Sequence, residues 1–250
     1  MTTLESSKVT ESIRSRHLGR TVPAARWGHY GTPVLLFPTA GGDAEEAERF
    51  KMMVVLRPLI EGGRVKVYAC DSVGGQALTT RRDHPAGHFP RTQRLFDAFV
   101  HEELVPWIRA DCRTPGIEIL TAGASIGAFN AVAALCRHPE TFRAAIGLSG
   151  TYDVSKWLEE EDVGPDFYFS SPMHFLPNLR ESPPLQRLRG RFVLLATGEG
   201  EYEDPENSRR MAAVLKTKGI PHRLDTWGPK FRHDWTTWRE MLPRYLEELA

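Results

Sequence analysis

Gly123-Ala124-Ser125-Ile126-Gly127 follows directly on Gly116-Ile117-Glu118-Ile119-Leu120-Thr121-Ala122. The upstream run, apolar and rich in β-branched residues, reads as a buried strand, and Ala128 to Arg137 downstream reads as a helix. The pentapeptide between them fits G-x-S-x-G, a sharp strand-to-helix turn that presents its serine in strained backbone geometry. That turn is tolerable only where the residues two before and two after the serine lack bulky side chains, which Gly123 and Gly127 satisfy. The helix that follows aims its positive end at Ser125, and the Ile126 amide is placed to donate to an oxyanion. Alone, the five residues equally describe a plain Gly/Ser turn, so the decision rests on the rest of the chain.

Outward from this turn, strand and helix patterns alternate. Lys8 to Arg16 and Leu18 to Trp27 read as an antiparallel pair of half-exposed strands, ended by the turn Gly28-His29-Tyr30-Gly31. Pro33 to Pro38 and Arg64 to Cys70 read as buried strands, as do Ala144 to Leu148 and Phe192 to Ala196; Pro221 to Trp227 alternates like a last, half-buried strand. Helical patterns lie between and after them at Glu45 to Ile60, about Arg91 to Ala110, Pro205 to Lys218 and Trp235 to Leu249. In the first of these, Phe50, Met53, Val54, Leu56, Leu59 and Ile60 form the expected buried face. The alternation predicts an α/β domain with a mostly parallel central sheet, helices on both faces and antiparallel N-terminal strands, with ligands at the carboxyl ends of the strands. One segment, Asp153 to Arg189, departs from the pattern; its aromatics and prolines suit either a small cap or a connection packed on the surface.

Composition bounds the function. With 250 residues, 41% hydrophobic and 26% charged, the chain fits one α/β domain, 1–250. Lys+Arg and Asp+Glu both number 32, which removes the broad electrostatic case for nucleic acid or an anionic membrane and turns attention to a small-molecule pocket. Arg81-Arg82 and Arg187 to Arg191 read as solvated faces. Cys70, Cys112 and Cys136 are an odd count without metal-type spacing and read as reduced structural thiols. Met1 to Lys8 is polar, without the apolar core of a leader, and no run approaches the ~18 apolar residues of a membrane span. A cytoplasmic location is the expectation; the oligomeric state is not read from the sequence.

A serine hydroxyl is a poor nucleophile at neutral pH and needs an imidazole to take its proton. His233 lies in Gly228-Pro229-Lys230-Phe231-Arg232-His233-Asp234-Trp235, between the last strand and the last helix. The other eight histidines are worse placed; His84 and His88 make a His-x-x-x-His spacing, yet lack a helix or a third ligand, so no metal is expected. The acid that would orient His233 is sought after the Phe192 to Ala196 strand, in Thr197 to Glu206. Glu203 is the first choice, with Asp204 and Glu201 as alternatives and Asp153 as an outsider, because Asp204 and Glu206 are explained as N-cap and first-turn acid of the helix entered by Pro205. The second oxyanion donor is expected in Pro38-Thr39-Ala40-Gly41-Gly42, with the Ala40 amide as donor and the Thr39 hydroxyl as an addition; Asp43 reads as an N-cap for the next helix.

Five stretches in this order, Phe37 to Gly42, Gly123 to Ala128, Leu148-Ser149-Gly150-Thr151-Tyr152-Asp153, Gly198 to Glu203 and His233-Asp234-Trp235-Thr236-Thr237-Trp238, give the chain its resemblance. It resembles the small bacterial α/β-hydrolase "putative esterase" family, related to esterase D, feruloyl esterases and mycolyltransferases. The resemblance implies the α/β-hydrolase fold and a serine esterase acting on small-molecule esters, with no cofactor. It also implies a glutamate acid shortly after Gly-x-Gly, at Glu203 or its neighbours, and His233 as the histidine of the His-x-Trp-x-x-Trp pattern. The chain departs from many relatives in Pro38-Thr39 and in Ala128. Two alternatives stand beside ester hydrolysis: acyl transfer on the same Ser-His-Glu/Asp set, and a non-catalytic hydrolase-fold binding protein.

Overall fold

In the computed structural model, which describes residues 7–250, the apolar runs become the centre of an eight-stranded sheet. Its strands are β1 (Val9–Arg14), β2 (Thr21–Trp27), β3 (Thr32–Phe37), β4 (Val65–Cys70), β5 (Ile119–Ala124), β6 (Phe142–Leu148), β7 (Phe192–Thr197) and β8 (His222–Thr226), in the order β1-β2-β4-β3-β5-β6-β7-β8. β1 pairs with β2 and β2 with β4 antiparallel; every other pair is parallel. Residues Met1 to Ser6, on which most of the polar N-terminal stretch falls, lie outside the described residues.

The helices are α1 (Glu46–Arg49), α2 (Met52–Glu61), α3 (Val73–Thr79), α4 (His88–Phe99), α5 (Val105–Asp111), α6 (Ile126–Arg137), α7 (Pro165–Ser170), α8 (Pro172–Phe175), α9 (Pro183–Leu188), α10 (Pro205–Thr217) and α11 (Trp235–Leu249). Period-2 alternation sends Leu35 and Phe37 of β3 to one face and Val34 and Leu36 to the other. The core on the first face also holds Phe96, which Phe37 meets edge-on, and Phe99 of α4, Ala131 and Leu135 of α6, and Met211 of α10. The core on the second face also holds Met53 and Leu56 of α2 and Met241 and Tyr245 of α11.

Three local departures from the sequence pattern have physical causes. The expected helix Glu45 to Ile60 breaks at Lys51, whose φ of 63° is left-handed, and the rotation leaves Phe50 45% and Val54 53% exposed instead of buried. The long helix from about Arg91 starts at His88 and carries a π-helical turn, Val100–Leu104, between α4 and α5. α3 is an addition to the expected helices: it carries Gly74-Gly75, poor helix formers, and its burial supplies the order that propensity lacks. The segment 153–189 is a chain of short helical turns whose Leu176, Leu185 and Leu188 enter the main core, while its Val154 and Phe167 pack beside Ile126. Among the described residues, no helix is long and apolar enough to cross a membrane.

Candidate functional site

β5 delivers Ser125 at its carboxyl end, and α6 begins at the next residue. Ser125 has φ 56° and ψ −121°, a combination costly for a residue with a Cβ. What holds it there is a close approach: a Cβ on Gly123 would lie 2.3 Å from the Gly127 backbone, and one on Gly127 would lie 2.4 Å from the Phe37 carbonyl oxygen. The turn is also pinned by hydrogen bonds, Ser125 N to the Leu148 carbonyl at 3.0 Å and Thr151 N to the Ser125 carbonyl at 3.2 Å. The Ile126 amide, first of α6, has no carbonyl a turn earlier to receive it.

The end of β3 abuts this elbow, which brings the 38–42 loop alongside. Ala40 packs into a small apolar cluster that contains Ile126, Leu78, Phe89, Val154 and Phe167. Neither the Ala40 nor the Ile126 amide meets a protein acceptor among the described residues. Thr39 is otherwise engaged: its amide donates to Glu46 Oε2 at 2.8 Å and its hydroxyl to Glu46 Oε1 at 2.5 Å, so the hydroxyl expected at an oxyanion is turned to a buried carboxylate. Asp43 accepts the Glu45 amide at 2.9 Å ahead of α1 and holds Arg49 through both carboxylate oxygens. The Arg49 guanidinium, its main partner, holds the Asp43 carboxyl below the usual range.

After β7 the acidic loop separates its candidates. The Glu203 side chain is 1% exposed, with Oε2 3.7 Å from His233 Nδ1. Three groups donate to that carboxylate: Ser149 Oγ to Oε1 at 2.5 Å, Gly198 N to Oε1 at 3.2 Å and Thr197 Oγ1 to Oε2 at 3.3 Å. Trp238 Nε1 donates to Ser149 Oγ at 3.0 Å, and the Trp238 ring meets the His233 ring edge-to-face, 5.2 Å between centroids. Glu201 is exposed and faces Arg232 at 3.3 Å. Asp204 caps α10, accepts from Asn207 Nδ2 and stands 4.0 Å from Lys156. Asp153 binds Ser155 and Arg210. Ser149 and Trp238 were in view in the sequence without a role, because nothing local ties them to Glu203.

His233 sits between β8 and α11, 23% exposed at its side chain. The acid loop and the histidine loop are joined along their backbones: Glu199 N to the Gly228 carbonyl, Gly200 N to that of Phe231, and His233 N to that of Glu201, at 3.0, 2.8 and 3.0 Å. Asp234 Oδ1 then accepts the Thr237 amide at 2.9 Å and starts α11. Ser125, Glu203 and His233 thus all follow carboxyl ends of parallel strands, where open α/β sheets gather ligands. No hydrogen bond joins Ser125 to His233 in this structure; such contacts are commonly long until substrate binds. A groove of about 1080 Å³ opens at the opposite end of the sheet beside Thr32, Pro33, Arg64 and Arg143, away from Ser125, Glu203 and His233.

His84 and His88 stack at 3.9 Å between ring centroids, without a third ligand among the described residues. Cys70, Cys112 and Cys136 are free. Burial pushes the Cys136 thiol up to about 12 and that of Cys70 higher still, so neither ionises as a nucleophile near neutral pH.

Solved structures share the architecture along almost the whole chain. A ferulic acid esterase superposes with a TM-score of 0.74 at 16% identity, covering 97% of this chain and 96% of its own. An S-formylglutathione hydrolase from Agrobacterium tumefaciens gives 0.74 at 14%, covering 96% and 93%. MPT51 from Mycobacterium tuberculosis gives 0.71 at 18%, covering 97% of each. No curated protein is matched by its sequence. Residues 40–249 match the family described as "Putative esterase", a span that holds the elbow, the acidic loop and the histidine loop, so the chain belongs to that family and is a carboxylic ester hydrolase.

Proposed function

We propose that the ester is cleaved through an acyl-enzyme formed on Ser125. The carboxylate of Glu203 orients His233 through Nδ1, which leaves Nε2 as the base for the serine. His233 takes the Ser125 proton as Oγ attacks the ester carbonyl, and the amides of Ile126 and Ala40 receive the oxyanion. The tetrahedral adduct collapses, the C–O bond to the alcohol breaks, and His233 returns its proton to the leaving oxygen. Water, deprotonated by His233, then attacks the acyl group and releases the acid and free Ser125.

The observation that carries this reading is the buried Glu203 carboxylate facing His233 at 3.7 Å while Glu201 and Asp204 hold other partners. The apolar cluster around Ile126 supplies a wall for an acyl or alcohol group, with Trp157 and Leu158 of the 153–189 segment at its margin. A cytoplasmic setting is proposed on the three free thiols.

Ser125→Ala, assayed on a short-chain activated ester, is expected to lose on the order of 10⁶ in turnover and to lose labelling by a fluorophosphonate. Activity equal to the parent's would overturn the assignment, and a parent inert to both ester and probe would favour a non-catalytic binding protein. Product analysis with an added alcohol separates hydrolysis from acyl transfer, since the two differ only in what reaches the acyl-enzyme second.

A further inference from the structure

At the far end of α6 from Ser125, three potential ligands converge that the ester chemistry does not use. His101 Nε2 lies 3.4 Å from Glu140 Oε1, and His138 Nδ1 lies 3.8 Å from the same oxygen. All three donor atoms lie within 4.8 Å of one another. Two atoms each about 2.0–2.1 Å from a tetrahedral ion stand about 3.4 Å apart, so these separations are near those of a coordination shell. His101 sits on the π-helical turn, His138 caps α6, and Glu140 follows two residues later. We propose that His101, His138 and Glu140 form a site for a divalent transition-metal ion of the zinc type.

The surroundings support nitrogen ligation. His138 Nε2 lies 3.0 Å from Asp97 Oδ2, an arrangement that places the ring proton on Nε2 and leaves the Nδ1 lone pair toward Glu140. The carbonyl end of α6 adds a favourable partial negative charge. Opposing this, Arg187 stands 3.9 Å from Glu140 and Arg137 3.0 Å from Asp97, and Glu102 is taken by His17. The two imidazoles are stacked, 3.9 Å apart and within 7° of parallel. Binding must therefore open the stack so that both in-plane lone pairs point at one ion, and His101, 32% exposed, has room to turn. The ion would tie the π-turn to the end of the nucleophile helix about 18 Å from Ser125, taking 1.5 Å per helical residue, and so act on stability rather than on the reaction.

The test is titration of the purified full chain with zinc chloride, and with cobalt chloride as a coloured substitute. The expected result is one ion per chain, a raised melting temperature and a tetrahedral cobalt spectrum. His101→Ala and Glu140→Gln, both at partly exposed side chains, are expected to weaken binding at least about tenfold, and Asp97→Asn by about 10- to 100-fold, with ester turnover unchanged. Absence of stoichiometric binding would overturn the site, as would affinity unchanged in both His101→Ala and Glu140→Gln, or loss of binding in His84→Ala instead.

Discussion

Ser149 has a side chain, sits at φ 46° and is 4% exposed, a position that costs conformational energy and is kept by its contacts. Its hydroxyl links Trp238 to Glu203, one hydrogen bond in and one out. A hydrogen bond to a charged group contributes about 1.5–3 kcal/mol, so Ser149→Ala is expected to lower kcat about tenfold or more while KM stays near the parent value; steady-state kinetics on one ester checks it. Ser149→Gly relieves the backbone but loses the same hydroxyl, and the same fall in kcat is expected. The elbow glycines fail differently. Gly127→Ala sets a methyl 2.4 Å from the Phe37 carbonyl and 2.7 Å from that of Pro38, so a loss of about 1–3 kcal/mol or more is expected in urea unfolding. This contrast explains what the sequence discloses. Gly123, Ser125 and Gly127 are legible because the turn's demands fall within five residues. The role of Ser149 is not, because its partners lie 54 and 89 residues away.

Helices and strands were legible where one face is buried and the other wet, as along α11, whose ends Trp235 and Leu249 follow from the pattern. They were less legible where the backbone departs from its period. Hydrophobic spacing continues across Lys51 although the helix does not, and it cannot show the π-turn at Val100–Leu104. Lys51→Gly removes the cost of a left-handed side-chain residue and is expected to stabilise the fold by up to about 1 kcal/mol, read as a shift in the denaturant midpoint at constant slope. Asp234 is the opposite case. Its carboxylate receives the Thr237 amide at the start of α11, and Asp234→Ala is expected to cost about 1 kcal/mol by the same measurement.

The whole molecule has an acid limit built into its sheet. Lys66 on β4 is 7% exposed and meets Asp111 at 2.6 Å; Tyr68 donates to the same carboxylate at 2.7 Å, and Arg26 approaches at 3.3 Å. Burial alone would raise the Asp111 carboxyl, but Lys66 and Tyr68 outweigh it and hold it below its usual range. The unfolded chain therefore binds this proton first as pH falls. The stability Asp111 contributes is complete above the ordinary aspartate value of about 4 and is lost as pH drops through the lower folded-state value. Asp111→Asn is expected to cost about 1–3 kcal/mol at pH 7, with the difference from the parent shrinking below about pH 4 in urea titrations at several pH values. The backbone bonds between the acid loop after β7 and the histidine loop after β8 tie two distant stretches of chain together. Glu199 to Glu201 and Gly228 to His233 are separated in sequence by α10 and β8 yet fit each other carbonyl to amide. For recombination among members of this family, any crossover between positions 201 and 228 pairs one parent's acid loop with the other's histidine loop, so the two are inherited well only together.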